Sequence, residues 1–224
     1  MKQLAFDFVA PSPTLDNFVE GRNAEAVQRL RDITLGRGGE RSLYLWGAAS
    51  SGRTHLLRGA LTALARRGAR VAYFAGGAAP APAELAEADT VAIDDAERLD
   101  EAAQGIAFNL YNRLREAGGV LLAAGNVPPS QLPLRADVGT RLAWGLVYEV
   151  HALSDAEKAH ALAGHAAARG FGMPPEVSQY LLTRVQRDMR TLIAMLDALD
   201  RYSLEAKRPV TLTLVRELVQ EIRK

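Results

Sequence analysis

The sequence predicts an α/β fold: a five-stranded parallel sheet flanked by helices, followed by a small all-helical domain. Three observations predict it. Between residues 42 and 126, short runs rich in aliphatic and aromatic residues alternate with longer amphipathic stretches, the rhythm of strands and crossover helices in a parallel sheet. Beyond Leu153 the pattern becomes wholly helical. The chain has 224 residues and no cysteine, so it must be held by burial alone, and it is long enough for one large domain or a domain with a small appendage.

Residues 1–13 are set apart by Pro11 and Pro13, which resist helix, and read as a tail with its own task. Asn23 is placed to cap a helix on which Val27, Leu30 and Ile33 recur at helical spacing, ended by the glycine-rich stretch 36–39. Strands are predicted at 42–46, 70–74, 90–93, 120–124 and 146–150. Helices at 54–67 (Leu57, Leu61 and Leu64 inward) and 101–117 (Ile106, Leu110 and Leu114 inward) stop just before Gly68 and Gly118, residues suited to a left-handed helix end. Four more helices fall near 155–169, 175–184, 188–205 and 212–222, punctuated by Gly170, Gly172, Pro174, Pro175 and Pro209. The expected division is a tail 1–13, an α/β base 14–153 and a helical lid 154–224. Leu181, Leu182, Val185, Leu192, Ile193, Leu196 and Leu199 form the expected lid core, a face equally suited to a partner subunit.

Charge narrows the function. With 27 Lys+Arg against 26 Asp+Glu, no global field holds the chain on phosphate or anionic lipid, and any nucleic-acid contact must be local. No apolar run approaches the ~18 residues that span a bilayer, and the amino terminus lacks the order of a secretory signal; a cytoplasmic protein is expected. His160 and His165 are five apart and share no helix face, so the four histidines suggest no metal site. Trp46 and Trp144 read as packing residues.

Gly47-Ala48-Ala49-Ser50-Ser51-Gly52-Arg53-Thr54 joins the first strand to the next helix. Small residues there let successive N–H groups face one anion while the helix amino terminus adds a favourable dipole. In the pattern G-x-x-x-x-G-K-[ST], lysine reaches the terminal phosphates and the hydroxyl joins magnesium. Here Arg53 replaces lysine, keeping the charge on a bulkier planar group, which points to phosphate binding more than to fast hydrolysis. The plainer reading is a tight strand-to-helix turn. The phosphate reading gains from Val91, Ala92 and Ile93 running into Asp94 and Asp95, at the carboxyl end of a parallel strand, where such sheets gather ligands. Asp94, with Thr54, is the candidate for the magnesium shell, and Asp95 for orienting an attacking water.

Together these residues resemble the AAA+ nucleotide-binding module, in the branch around the bacterial replication initiator DnaA, from Thr14 onward. Leu15-Asp16-Asn17-Phe18-Val19-Glu20-Gly21-Arg22-Asn23 is similar to the segment that walls the adenine. The resemblance implies ADP or ATP with Mg2+, contacted by Phe18, Val19, Gly47, Ser51, Gly52, Arg53, Thr54 and His55. Residues 120–126, with Pro128 and Pro129, resemble the strand carrying sensor 1, so Asn126 takes the polar position at the γ-phosphate or its water; DnaA usually has aspartate there. Asp137-Val138-Gly139-Thr140-Arg141-Leu142-Ala143-Trp144-Gly145 resembles the motif of the arginine finger, which in that family acts on a neighbouring subunit's nucleotide. Arg141 is the candidate, and a salt-bridging surface arginine is the plain alternative. Arg187-Asp188-Met189-Arg190-Thr191-Leu192 resembles the sensor 2 helix, with Arg190 reaching the phosphates and Arg187 its rival.

DnaA carries a helix-turn-helix domain after its lid, whereas this sequence ends at Lys224, just past the last predicted helix; the expectation is a relative without that domain. Gln3-Leu4-Ala5-Phe6-Asp7-Phe8 resembles the Q-L-x-[LF]-x-[LF] peptide that docks on the DNA polymerase sliding clamp, where glutamine bonds the pocket edge and apolar anchors fill it. Alternatively, Leu4, Phe6 and Phe8 pack on the chain's own domain. A clamp peptide ahead of a DnaA-like base is the arrangement of the Hda family, regulatory inactivators of DnaA, which also tolerates arginine at the Arg53 position. That resemblance implies a negative regulator of replication initiation with weak or no ATPase of its own. It would bridge DnaA and the DNA polymerase III sliding clamp (β subunit), meet DNA only through the clamp, and present Arg141 to the ATP that DnaA holds. Two other readings stand beside it. One is a self-sufficient ATPase of the helicase-loader or initiator type acting on single-stranded DNA, with Arg53, Asp94 and Asp95 turning over nucleotide. The other is a nucleotide-free scaffold. Homo-oligomerisation is open.

Overall fold

The computed structural model describes residues 12–77, 85–185 and 188–222. Gln3, Leu4, Phe6 and Phe8 of the tail, and Arg187, lie outside the described residues. The chain divides into two compact units, one of residues 13–152 and one from 153 onward.

In the first unit, β1 (Ser42–Trp46), β2 (Val71–Ala75), β3 (Thr90–Asp94), β4 (Val120–Gly125) and β5 (Leu146–Glu149) form one sheet in the order β2-β3-β4-β1-β5. Every pairing is parallel, as the alternating pattern predicts. β3 and β4 are buried at every position, which is why they appear in the sequence as unbroken apolar runs. Along β1, Leu43 and Leu45 enter one core while Tyr44 enters the other, the period of two that a strand imposes. The helices of this unit are α1 (Ala24–Thr34), α2 (Arg53–Arg66), α3 (Glu101–Ala117) and α4 (Ala136–Leu142). Leu30, Ile33, Leu56 and Leu57 from α1 and α2 pack with Leu43 and Leu45. Leu110, Leu114, Val138 and Leu142 from α3 and α4 pack with Tyr44 and Ile93. Each such side chain contributes roughly 1.5–3 kcal/mol when fully buried.

Local signals fix the ends. The Asp100 carboxylate accepts from the Ala103 N–H at 2.8 Å to start α3, and Gly118, at φ 67°, closes it. Asn23 departs from expectation. It precedes α1 without capping it; its side chain donates to the His151 carbonyl at 2.9 Å and accepts from the His151 N–H at 2.8 Å. This tertiary demand, 128 residues away in sequence, overrides the local one. Helix α4 was not foreseen, and other boundaries shift by a residue: β2 begins at Val71 rather than 70, and α2 begins at Arg53 rather than 54.

The second unit is helical: α5 (Asp155–Ala168), α6 (Pro175–Arg184), α7 (Met189–Ala206) and α8 (Leu212–Ile222). Ser154 and Glu157 form a reciprocal capping box at α5. Leu162, Leu181, Leu192, Leu196, Leu199 and Leu214 share one core, with Val185 and Ile193 half-buried against it. At its margin, Asp197 of α7 lies 2.9 Å from both His165 Nε2 of α5 and Nη2 of Arg169, the residue just past the end of α5. Among the described residues, no helix is long and apolar enough to cross a membrane.

Candidate nucleotide site

The turn between β1 and α2 demands its glycines. A Cβ on Gly47 would run into the Val150 carbonyl oxygen. Gly52 adopts φ 104°, and a Cβ there would meet Phe18 Cε2 at 2.6 Å; only glycine combines that backbone with that approach. The turn delivers the chain to the amino terminus of the 14-residue helix α2. At this point Ser51 Oγ and Arg53 Nη1 are buried and have no hydrogen-bond partner among the described residues. A buried donor left unpaired costs about 1–3 kcal/mol, so two of them beside a helix amino terminus form a place that suits an acceptor. The phosphates of a nucleotide fit these residues.

Strand β3 ends on Asp94, only 2% exposed. Its Oδ2 accepts the Thr54 hydroxyl at 2.6 Å and the Tyr73 hydroxyl at 2.9 Å, and its Oδ1 accepts the Asp95 N–H at 3.0 Å. The Thr54 hydroxyl and the Asp94 carboxylate supply the hard oxygen donors that Mg2+ takes, so these two residues fit that ion. Burial raises the pKa of the Tyr73 phenol, keeping it a donor.

Asp95 follows in the left-handed region, φ 47°, an unusual conformation for aspartate that stores strain at a site. Its pKa is raised by burial first, then by the charges of Asp94 and Glu97, against an opposing pull from Arg53. Asn126, exposed just past β4, donates its main-chain N–H to Glu97 Oε2 at 3.1 Å. Glu97 therefore ties the turn after Asp95 to the end of β4. Tyr44, 1% exposed, donates its hydroxyl to the Val127 carbonyl at 3.0 Å, and its pKa is pushed up by burial and then by Glu97. Sequence reasoning missed Tyr44, Tyr73 and Glu97. Glu97 lies three residues from Asp94, a carboxylate cluster that could have drawn notice, but the tyrosines are recognisable only once the strand order is known.

Phe18 and His55 meet edge to face with centroids 5.4 Å apart. His55 Nε2 lies 2.9 Å from both the Thr14 carbonyl oxygen and Asn17 Oδ1. The segment leading to Phe18 can lie this close because Gly59 has no Cβ, which would come within 2.8 Å of the Thr14 carbonyl carbon. Val19, half-buried, follows directly. The structure thus joins Phe18 and His55 to the glycine turn through Gly52.

Arg141 sits in the last turn of α4. Gln104 positions that helix from α3: its Oε1 accepts the Arg135 N–H at 2.9 Å while its amide donates to the Leu99 carbonyl at 3.0 Å. The Arg141 guanidinium lies 3.8 Å from the Phe108 ring centroid, donates through Nε to Asn112 Oδ1 at 3.3 Å and through Nη1 to the Asp137 carbonyl at 3.0 Å. Its bonds go to an amide and a main-chain oxygen, and no carboxylate pairs with it within 4 Å among the described residues. Nearby Trp144, expected to pack, is 52% exposed, with its ring edge on Tyr111 and Arg115 stacked over it at 4.5 Å. Arg190 belongs to the helical unit, exposed in the first turn of α7.

Comparison with known structures identifies the architecture. Domain III of the replication initiator DnaA from Thermotoga maritima matches with a TM-score of 0.72 at 20% identity, over 94% of this chain and 97% of that one. AMPPCP-bound DnaA from Aquifex aeolicus matches with a TM-score of 0.70 at 21% identity, over 89% and 68%. A RuvB mutant from Thermotoga maritima follows at 0.64 and 14%, over 95% and 73%. These likenesses establish the AAA+ fold. Residues 155–219 match the family described as Hda, lid domain. The chain has the AAA+ fold and carries a segment that matches the Hda lid domain. The matched segment comprises α5, α6, α7 and most of α8, and the fold places the glycine turn, Asp94 and Asn126 at the carboxyl ends of their strands, where sheets of this kind receive ligands.

Proposed function

We propose that this chain is a cytoplasmic negative regulator of chromosomal replication initiation. It binds ADP or ATP with Mg2+ at residues 47–54 and Asp94, with Arg190 as the candidate sensor 2 residue. It docks through Gln3, Leu4, Phe6 and Phe8 on the DNA-loaded β sliding clamp of DNA polymerase III. It then presents Arg141 to the ATP held by DnaA, whose hydrolysis it stimulates. The observation that carries this reading is the Hda lid-domain match at 155–219 on a base of DnaA-like fold.

Two features of the base support the nucleotide and finger assignments. The orphaned Ser51 and Arg53 donors call for an anion within the chain itself. Arg53, in place of lysine, suits holding a nucleotide more than turning it over. Arg141 keeps its charge free of any carboxylate pair among the described residues, and such a cation, set against the phosphoryl group in flight, offsets the charge that develops there. The chemistry then belongs to the partner's site, and the regulator contributes position and charge.

A reconstituted assay with ATP-bound DnaA and clamp on DNA tests the reading. Arg141→Ala abolishes stimulated hydrolysis and leaves clamp binding intact, and deletion of residues 1–9 eliminates clamp binding. Unchanged stimulation by Arg141→Ala refutes the finger assignment. Robust turnover by the isolated chain, raised by single-stranded DNA and indifferent to the clamp, would establish the self-sufficient ATPase instead.

A further inference from the structure

Tyr73 lies on β2, an edge strand, beside β3, and no motif marks it. Its hydroxyl donates at 2.9 Å to Asp94 Oδ2, the oxygen that also accepts the Thr54 hydroxyl at 2.6 Å. The other oxygen, Oδ1, accepts the Asp95 N–H at 3.0 Å. A carboxylate has about four acceptor positions. Both on Oδ2 are taken, and one remains on Oδ1. From that position alone can Asp94 accept from the water shell of a cation without surrendering a bond. The phenol is itself held, since Arg58, one turn beyond Thr54 on α2, stacks its guanidinium 4.6 Å from the Tyr73 ring centroid.

We infer that Tyr73 is a positioning residue for the magnesium site: its hydrogen bond fixes the plane of the Asp94 carboxylate and leaves a single Oδ1 lone pair for the ion's water shell. This rests on the reading of residues 47–54 and Asp94 as a magnesium–nucleotide site. The role differs from that of Thr54, which offers its own oxygen to the ion, because Tyr73 acts only through Asp94.

Tyr73→Phe deletes the donor and keeps the ring, and with it the stacking on Arg58. ADP affinity is measured by calorimetry in EDTA and across a Mg2+ titration, on the full chain and on the variant. The Mg2+ concentration that gives half the affinity gain rises about tenfold in Tyr73→Phe, the scale of loss when an outer-shell partner of a metal ligand is removed. ADP affinity in EDTA stays unchanged, because the phosphate cradle is untouched. An unaltered Mg2+ requirement overturns the inference. So does a loss that is equal with and without Mg2+, which marks a packing defect. A wild-type chain that binds ADP with no response to Mg2+ also overturns it while leaving the nucleotide reading intact, and a chain that binds no ADP removes both.

Discussion

Gly52→Ala tests whether the glycine turn and the segment bearing Phe18 are one packed unit. Two costs arise. At φ 104° an L residue is strained, by about 1–2 kcal/mol. The new Cβ lies 2.6 Å from Phe18 Cε2 and 3.3 Å from Cζ, so the ring must swing away. That forfeits part of its burial and its edge contact with His55, about 1–2 kcal/mol for a half-buried phenyl. Together they amount to about 2–4 kcal/mol, which lowers the melting temperature by about 5–15 °C for a chain of this size. A double-mutant cycle isolates the clash. Phe18→Ala alone loses the packing, but in the Gly52→Ala background the ring is already displaced and its removal costs little. Urea unfolding of the four proteins should give an interaction of about 1 kcal/mol, whereas losses that add to within about 0.3 kcal/mol refute the reasoning. ADP titration on the same proteins should show Gly52→Ala binding more weakly than wild type.

Asn23→Ala strips both partners from the His151 main chain and should cost about 2–3 kcal/mol in urea unfolding, since His151 is half-buried and each orphaned group costs about 1–3 kcal/mol when fully buried. A loss below about 0.5 kcal/mol, the size of an ordinary surface change, contradicts the assigned bonds. Asp95→Asn should stabilise the nucleotide-free chain at neutral pH. The Asp95 pKa is raised in the fold, so its favourable contribution is fully present below the unfolded carboxylate range and is lost as pH rises through the folded value; at pH 7 the ionised group opposes folding. The gain in melting temperature therefore shrinks as pH falls toward about 4, the range of an unfolded aspartate, and a gain independent of pH contradicts the assignment.

Much of the fold was legible because its strands are buried on both faces. Val91, Ala92 and Ile93 lead to Asp94 with no polar interruption, and Gly68 and Gly118 mark helix ends that the structure confirms as left-handed. Helix α4 escaped because seven residues, with only Val138 and Leu142 buried, carry less than two turns of periodicity. The glycine turn could be read from its local spacing. What it lacked was its surroundings: Phe18 against Gly52, Tyr73 on Asp94 and Glu97 on Asn126 are contacts between distant segments that parallel strand order brings together. Asn23 misled for the same reason, since local capping chemistry and a tertiary use of the same amide leave one signature in sequence. Arg141 was marked by its motif, but its seat on Phe108 and Asn112, four residues apart on α3, follows only from the packing of α3 against α4.

The proposed regulation requires that this chain make DnaA hydrolyse its ATP. The direct measurement is the loss of ATP from DnaA over time, with DnaA alone, with DNA-loaded clamp, and with clamp and this chain together. Hydrolysis should accelerate by orders of magnitude only when all components are present, the scale an arginine supplied in trans contributes. A rate equal to that of DnaA with clamp alone would contradict it.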